Sequence, residues 1–229
     1  MSRTRARTFA IDNVIPAPVI AALRSRIVES TSRDTGTHWY PLEAPPRLLF
    51  EQVIQQLRRH VPQGNEFVGA EWWFRVTSTD TNFPFHFDRD EAIRGSIVSP
   101  DLASILYLSN VGGPTLILEA TPTRRAAPKV GTAIHPRAGR FGVFPGGFLH
   151  GVLPGQPSRW PRVTMLVNWW RGVPRLERAA KLGTPPASGR WRLDVDGRRP
   201  IVPLASVDPS RLMSKAAWLD VIDEQTMYR

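Results

Sequence analysis

The chain has 229 residues, 41% of them hydrophobic and 22% charged, a globular balance with enough length for one large domain and a substantial core. It contains no cysteine, which excludes disulfides and thiolate metal sites, so any metal must be held by His, Asp, Glu or backbone oxygen. The net charge of +10 comes mainly from arginine, but the basic residues are scattered and match no nucleic-acid motif, so a solvated arginine-rich surface is expected.

The basic start, 1–16, lacks the apolar core of a secretory signal, and no apolar run is long enough to span a membrane; a soluble cytoplasmic protein is expected. Residues 17–29, "APVIAALRSRIVE", place Val19, Ile20, Leu23 and Ile27 at helical spacing, with prolines at the start. A second helix is predicted across 46–61, with Leu49, Val53, Leu57 and Val61 in one stripe. Residues 1–65 therefore read as a helical support whose apolar stripes need a surface to cover.

From residue 66 the character changes. "EFVGAEWWFRVTS", "FPFHFD", "ASILYLS", "PTLILEA", "GRFGVFPG", "FLHGVLP" and "RVTMLVNWW" are short runs of branched and aromatic residues separated by Gly, Pro, Asn and Asp. Strands without intervening helices indicate a sandwich or barrel over 66–171. A polar loop, 121–132, separates two of them. The remainder, 172–229, is a C-terminal extension. It opens on a Pro/Gly-rich connection and then predicts a hairpin turning at Asp196-Gly197. A last helix over 208–223 follows, with Asp208 as N-cap and Pro209 at its first position. The extension's apolar stripe (Leu212, Trp218, Leu219, Ile222) must be covered, either by packing over a cavity mouth of its own chain or by a second copy in a homodimer.

Three short segments carry polar groups in apolar runs. In "NFPFHFDRDE", 82–91, strand alternation sends His86 and Asp88 to one face and Phe85 and Phe87 to the other. Two convergent ligands on one strand suit a metal, and they also suit an ordinary polar face. In "FGVFPGGFLHGVLPG", His150 follows a Gly-Gly turn and shares a face with Phe148 and Val152. In "RVTMLVNWW", Val163, Met165, Val167 and Trp169 form an apolar face for helices to cover. The opposite face holds Arg162, Thr164, Leu166 and Asn168. Burying those polar groups unpartnered would cost several kcal/mol each, so that face meets solvent or a polar ligand. The inner face of a small barrel is a natural ligand cavity.

The ordered set His86-Phe-Asp88, distal His150 and Arg162 resembles the Fe(II)/2-oxoglutarate-dependent oxygenases, and within them the prolyl-hydroxylase-like branch. "ILYLSNVGGPTLIL" is similar to that branch's Tyr-Leu-Asn segment and Gly-Gly hairpin, "PRAGRFGVFPGGFLHGV" to the approach to its distal histidine, and "RVT" to its Arg-x-Ser/Thr motif. The likeness covers about residues 66–170. It implies a double-stranded β-helix, a mainly β jelly roll of cupin-like form, with the N-terminal helices packed on one sheet. It implies ferrous iron on His86, Asp88 and His150, a facial triad that leaves open positions for 2-oxoglutarate and O2. Arg162, always charged and able to bind a carboxylate through two donors, would hold the co-substrate's far carboxylate, with help from Thr164 and Tyr107. The implied reaction hydroxylates an unactivated C–H bond of an amino acid, peptide or small metabolite, anionic ones included, and releases succinate and CO2. Halogenating members of the superfamily carry a small residue where Asp88 stands, so halogenation is not expected.

Other residues compete for these roles. Asp90 and Glu91 offer a shifted carboxylate, but Asp90 should lie past the strand. His38, His60 and His135 read as non-ligands in loops or the helical region. Trp72, Trp73, Trp169 and Trp170 read as core. Asn110 stands one place later than the family's asparagine, the slot itself being Ser109, and receives no role. Arg75 could anchor substrate or lie at an exposed edge. The alternative functions are a cupin-type metal enzyme without 2-oxoglutarate, which Arg162 and Thr164 disfavour, and a non-catalytic jelly-roll module for an acidic partner or nucleic acid, which the scattered charge disfavours.

Overall fold

The structure is a computed structural model that describes residues 7–30, 36–175, 193 and 199–227. In chain order it contains β1 (Phe9–Ile11), α1 (Ala17–Ser30), β2 (His38–Pro41), α2 (Leu49–Arg58), β3 (Gly69–Thr77), β4 (Phe83–His86), β5 (Leu102–Tyr107) and β6 (Thr115–Leu118). There follow β7 (Gly131–Ile134), β8 (Phe141–Pro145), β9 (Leu149–Val152), β10 (Arg162–Trp170), β11 (Ile201–Val202), β12 (Ala205–Val207) and α3 (Lys215–Met227). Seven strands form one antiparallel sheet in the order β11-β1-β8-β5-β10-β3-β2, and five form a second in the order β12-β7-β6-β9-β4. The two sheets face each other as a mainly β double-stranded β-helix, as expected. Among the described residues no helix is long and apolar enough to cross a membrane.

The alternation in β10 decides how the layers stack. Val163, Met165, Val167 and Trp169 turn outward and pack with Val19, Leu23 and Ile27 of α1 and with Leu49, Val53, Ile54 and Leu57 of α2. The helices thus cover the large sheet as their stripes require. Between the sheets, Ala103, Ile105, Tyr107, Ile117, Ile134 and Phe144 form an inner core. Behind the small sheet, Phe87, Leu116, Leu118 and Leu149 pack with Trp218 and Ile222 of α3.

Several expected boundaries move. The second helix is shorter than 46–61 because Pro45 and Pro46 keep the approach extended, with Leu48 at φ −105° and ψ 155°. Its start is closed by Glu51, whose carboxylate accepts from the backbone N–H groups of Arg47 and Leu48. The N-terminal region is not purely helical, since β1 and β2 pair with β8 and β3. The last helix does not begin at Asp208. That carboxylate caps a short 3-10 turn at Pro209–Arg211, and Ser214 Oγ then accepts from Ala217 N–H at 3.2 Å to start α3. The expected turn at Asp196-Gly197 lies outside the described residues. Its far arm, β11, pairs with β1, and β12 pairs with β7, so the extension contributes a strand to each sheet.

Two residues of the extension's apolar stripe, Trp218 and Ile222, are buried against the small sheet of the same chain. Trp218 is 1% exposed, meets Phe85 edge-on with ring centroids 5.0 Å apart, and donates its indole N–H to the Pro209 carbonyl at 3.0 Å. Arg125 pairs with Asp223 and ties the 121–132 loop to the helix. The helix therefore backs the small sheet instead of closing the cavity mouth. Leu212, 40% exposed, does not join this packing.

Candidate metal centre and cavity

β4 and β9 pair antiparallel, with His86 directly opposite His150, so both side chains leave the same face of the sheet. A register shift between Phe83 and His86 marks a bulge that re-aims this strand. The strand itself ends at His86, and Asp88 lies beyond it, contrary to the expectation that one strand carries both ligands. The alternation nevertheless continues past the last ladder bond. Phe85 and Phe87 turn outward to the α3 side, while Asp88 turns inward with the histidines. Its carboxylate oxygens lie 3.6 Å from His86 Nε2 and 3.7 Å from His150 Nε2. One ligand atom from each of the three residues falls within 4.8 Å of the others.

Each imidazole is also held in the tautomer a metal requires. His86 Nδ1 lies 3.0 Å from the Pro84 carbonyl and His150 Nδ1 lies 3.0 Å from the Phe148 carbonyl. A carbonyl only accepts, so both Nδ1 atoms carry hydrogen and both Nε2 lone pairs face Asp88. Burial, then the neighbouring His150, lowers the His86 pKa to about 4, which keeps that ring neutral. Two imidazoles and one carboxylate on one side of a point make a donor set suited to a divalent first-row metal such as iron.

The triad opens into a cavity of about 650 Å³ between the sheets, also lined by Arg162, Thr164, Leu166 and Asn168. Arg162 is 4% exposed and has no carboxylate partner among the described residues. Its Nη2 donates to Thr115 Oγ1 at 3.0 Å, and its Nε–H has no hydrogen-bond partner. Burial lowers its pKa, offset by the neighbouring Tyr107. A buried guanidinium with an unused donor is costly unless an anion completes it. Gly112 shapes this place. It has φ +101°, and a Cβ there would come within 2.6 Å of Arg162 Cδ. Thr164, 1% exposed, lies on the same face two residues along.

Tyr107 is placed differently from the rest. Its ring lies under the Arg162 guanidinium, 5.4 Å from centroid to Cζ. Its hydroxyl donates to the Ile134 carbonyl at 3.0 Å and shares a hydrogen bond with Thr115 Oγ1 at 2.7 Å. It is fully buried and supports Arg162 from beneath. Thr115 links the two and received no role from the sequence; a hydroxyl opening the otherwise apolar run "TLIL" was the available signal. Asp90 is 1% exposed and points away from the triad, accepting from the backbone N–H groups of Ala92 and Arg175. His135 is exposed, whereas His38 is 5% exposed and packs at a tilt against Trp72, ring centroids 4.5 Å apart. Trp72, Trp169 and Trp170 are core, but Trp73 lines the cavity. Ser109 and Asn110 have structural partners: Ser109 Oγ accepts from Val163 N–H and Asn110 Oδ1 from Ala138 N–H.

The architecture is the double-stranded β-helix of the prolyl hydroxylases. A Pseudomonas putida prolyl-4-hydroxylase superposes with a TM-score of 0.51 and 20% identity, over 72% of this chain and 93% of that one. A viral collagen prolyl hydroxylase from Paramecium Bursaria Chlorella virus-1, in its 2-oxoglutarate complex, gives 0.48 and 14% over 72% and 95%. HygX from Streptomyces hygroscopicus, with nickel and 2-oxoglutarate bound, gives 0.48 and 16% over 84% and 92%. No protein-family model and no curated protein matches the chain.

Proposed function

We propose that the protein is an Fe(II)- and 2-oxoglutarate-dependent dioxygenase that hydroxylates a C–H bond of a small molecule or peptide, releasing succinate and CO2. One observation carries this reading. A tautomer-fixed His-Asp-His triad and a buried arginine that has no counter-anion among the described residues line the same cavity. His86, Asp88 and His150 would hold the metal, and Arg162 the far carboxylate of the co-substrate. Iron and co-substrate, when bound there, would supply activation of O2. The chain's own groups position the reactants. Pro84 and Phe148 carbonyls orient the two imidazoles. Thr115, Tyr107 and Gly112 fix the arginine. Thr164 offers a hydroxyl beside it. The unused Nε–H of Arg162 and its Nη groups suit paired hydrogen bonds to a carboxylate.

Anaerobic titration with Fe(II) and then 2-oxoglutarate tests the assignment through metal content, co-substrate dialysis and the visible charge-transfer band of the chelate. Wild type should bind one iron per chain. Arg162→Gln should keep the iron and lose at least about tenfold in co-substrate affinity. Full iron content in His150→Ala, or unchanged co-substrate binding in Arg162→Gln, would overturn the reading. Succinate formation across a substrate panel then reports turnover.

A further inference from the structure

Four charged side chains lining the cavity are not used by this chemistry. Arg89 and Glu91 pair with each other at 3.2 Å, and the other two, Glu71 and Arg75, stand on β3. The cavity-facing row of that strand runs Glu71, Trp73, Arg75, Thr77. Pairing with β10 sets Thr77 opposite Arg162, Arg75 opposite Thr164 and Glu71 opposite Asn168. The row therefore leads away from the arginine assigned to the co-substrate.

Arg75 is exposed where it lines the cavity, and it has no carboxylate partner among the described residues. Its guanidinium lies 4.3 Å from the Phe83 ring centroid, a contact that orients the side chain and leaves its N–H groups for another ligand. Glu71 is the opposite case. It is 7% exposed, and among the described residues its carboxylate accepts only from neutral groups, the Trp170 indole N–H at 3.2 Å and the Asn168 amide. The charges it feels, Asp88 and Asp90, are both negative. Burial, with those two acids, raises its carboxyl to about 7. An ammonium or guanidinium placed beside it would relieve both the burial and the repulsion.

The cavity thus presents a cation lacking an anion and a carboxylate lacking a cation on one strand face. Four strand steps separate them, about 13 Å between Cα atoms. Trp73 stands between them. Asp88, one of the triad, is close enough to act electrostatically on both. The triad and this row line the same cavity.

We infer that Arg75 and Glu71 are the two ends of the primary-substrate subsite, and that the substrate is a small zwitterion with the charge pattern of a basic amino acid. Its carboxylate goes to Arg75 and its distal ammonium or guanidinium to Glu71. The two side chains cover part of the span, leaving room for a chain of about five or six carbons. A C–H bond of that chain is then the one offered to the metal. The inference rests on the oxygenase reading, in which 2-oxoglutarate takes Arg162 and leaves Arg75 available.

Calorimetric titration of the full chain, anaerobic and loaded with Mn(II) and 2-oxoglutarate, tests it with three probes: 6-aminohexanoate, hexanoate and hexylamine. Wild type should bind 6-aminohexanoate at least about tenfold more tightly than either singly charged analogue. Arg75→Gln should erase the preference over hexylamine, and Glu71→Gln the preference over hexanoate, each keeping wild-type affinity for 2-oxoglutarate. Equal affinity for the three probes, or preferences that survive both substitutions, would overturn the inference while co-substrate binding persists. Failure of wild type to bind 2-oxoglutarate would strike the oxygenase reading itself.

Discussion

Replacing Glu71 with Gln should make the stability of the fold less sensitive to pH. The glutamine keeps an oxygen that can accept from the Trp170 indole, so the packing survives while the titratable group is lost. Burial, together with Asp88 and Asp90, raises the Glu71 pKa from 4.5 to about 7. Between these values the folded chain holds a proton that the unfolded chain has released, so stability falls as pH rises. The contribution is fully present below pH 4.5 and is lost once pH passes about 7. At about 1.4 kcal/mol for each pH unit, the gap is worth about 3 kcal/mol. The measurement is urea unfolding of metal-free wild type and Glu71→Gln, followed by tryptophan fluorescence from pH 4.5 to 8.5. Subtracting one curve from the other cancels the other titrating groups. The wild-type advantage should fall by about 3 kcal/mol across the window. A flat difference would show that the carboxyl titrates as it does in water, and the account of its burial would fail.

Gly112→Ala should weaken 2-oxoglutarate binding and leave iron content unchanged, because its Cβ would meet the Arg162 stem at 2.6 Å in a backbone conformation that disfavours side chains; dialysis against labelled co-substrate measures it. Trp218→Ala should destabilise the fold by about 3–5 kcal/mol through the cavity it leaves, and should also lower metal affinity because Phe85 rests on this ring beside His86; denaturant titration and metal competition read the two effects. Asp88→Gly should lose metal affinity, and chloride added to wild type should leave the product unchanged by mass spectrometry, since the aspartate fills the position a halide would need.

Local pattern was enough for the parts of this protein that repeat at short range. The stripes of α1 and α2, the two faces of β10 and the inward turn of His86 and Asp88 all follow from side-chain periodicity, which the backbone enforces within a few residues. The ordered motifs around His86, His150 and Arg162 likewise placed the candidate ligands and the cation of the cavity.

What depended on partners distant in sequence was not legible. β1 and β2 are too short to stand out and exist because β8 and β3 offer them ladder bonds. The start of α3 was misplaced because Asp208 carries a sound capping signal that serves a separate turn. That Thr115 and Ile134 engage the Tyr107 hydroxyl from another sheet and seat its ring under Arg162 could not be read from the sequence. Trp73 looked like core beside Trp72, and only the pairing of the sheets decided that one faces the helices and the other the cavity. Arg75 and Glu71 are ordinary charges in the sequence. Their meaning depends on which groups the folded chain fails to bring to them, and burial and missing counter-charges are properties of three-dimensional packing.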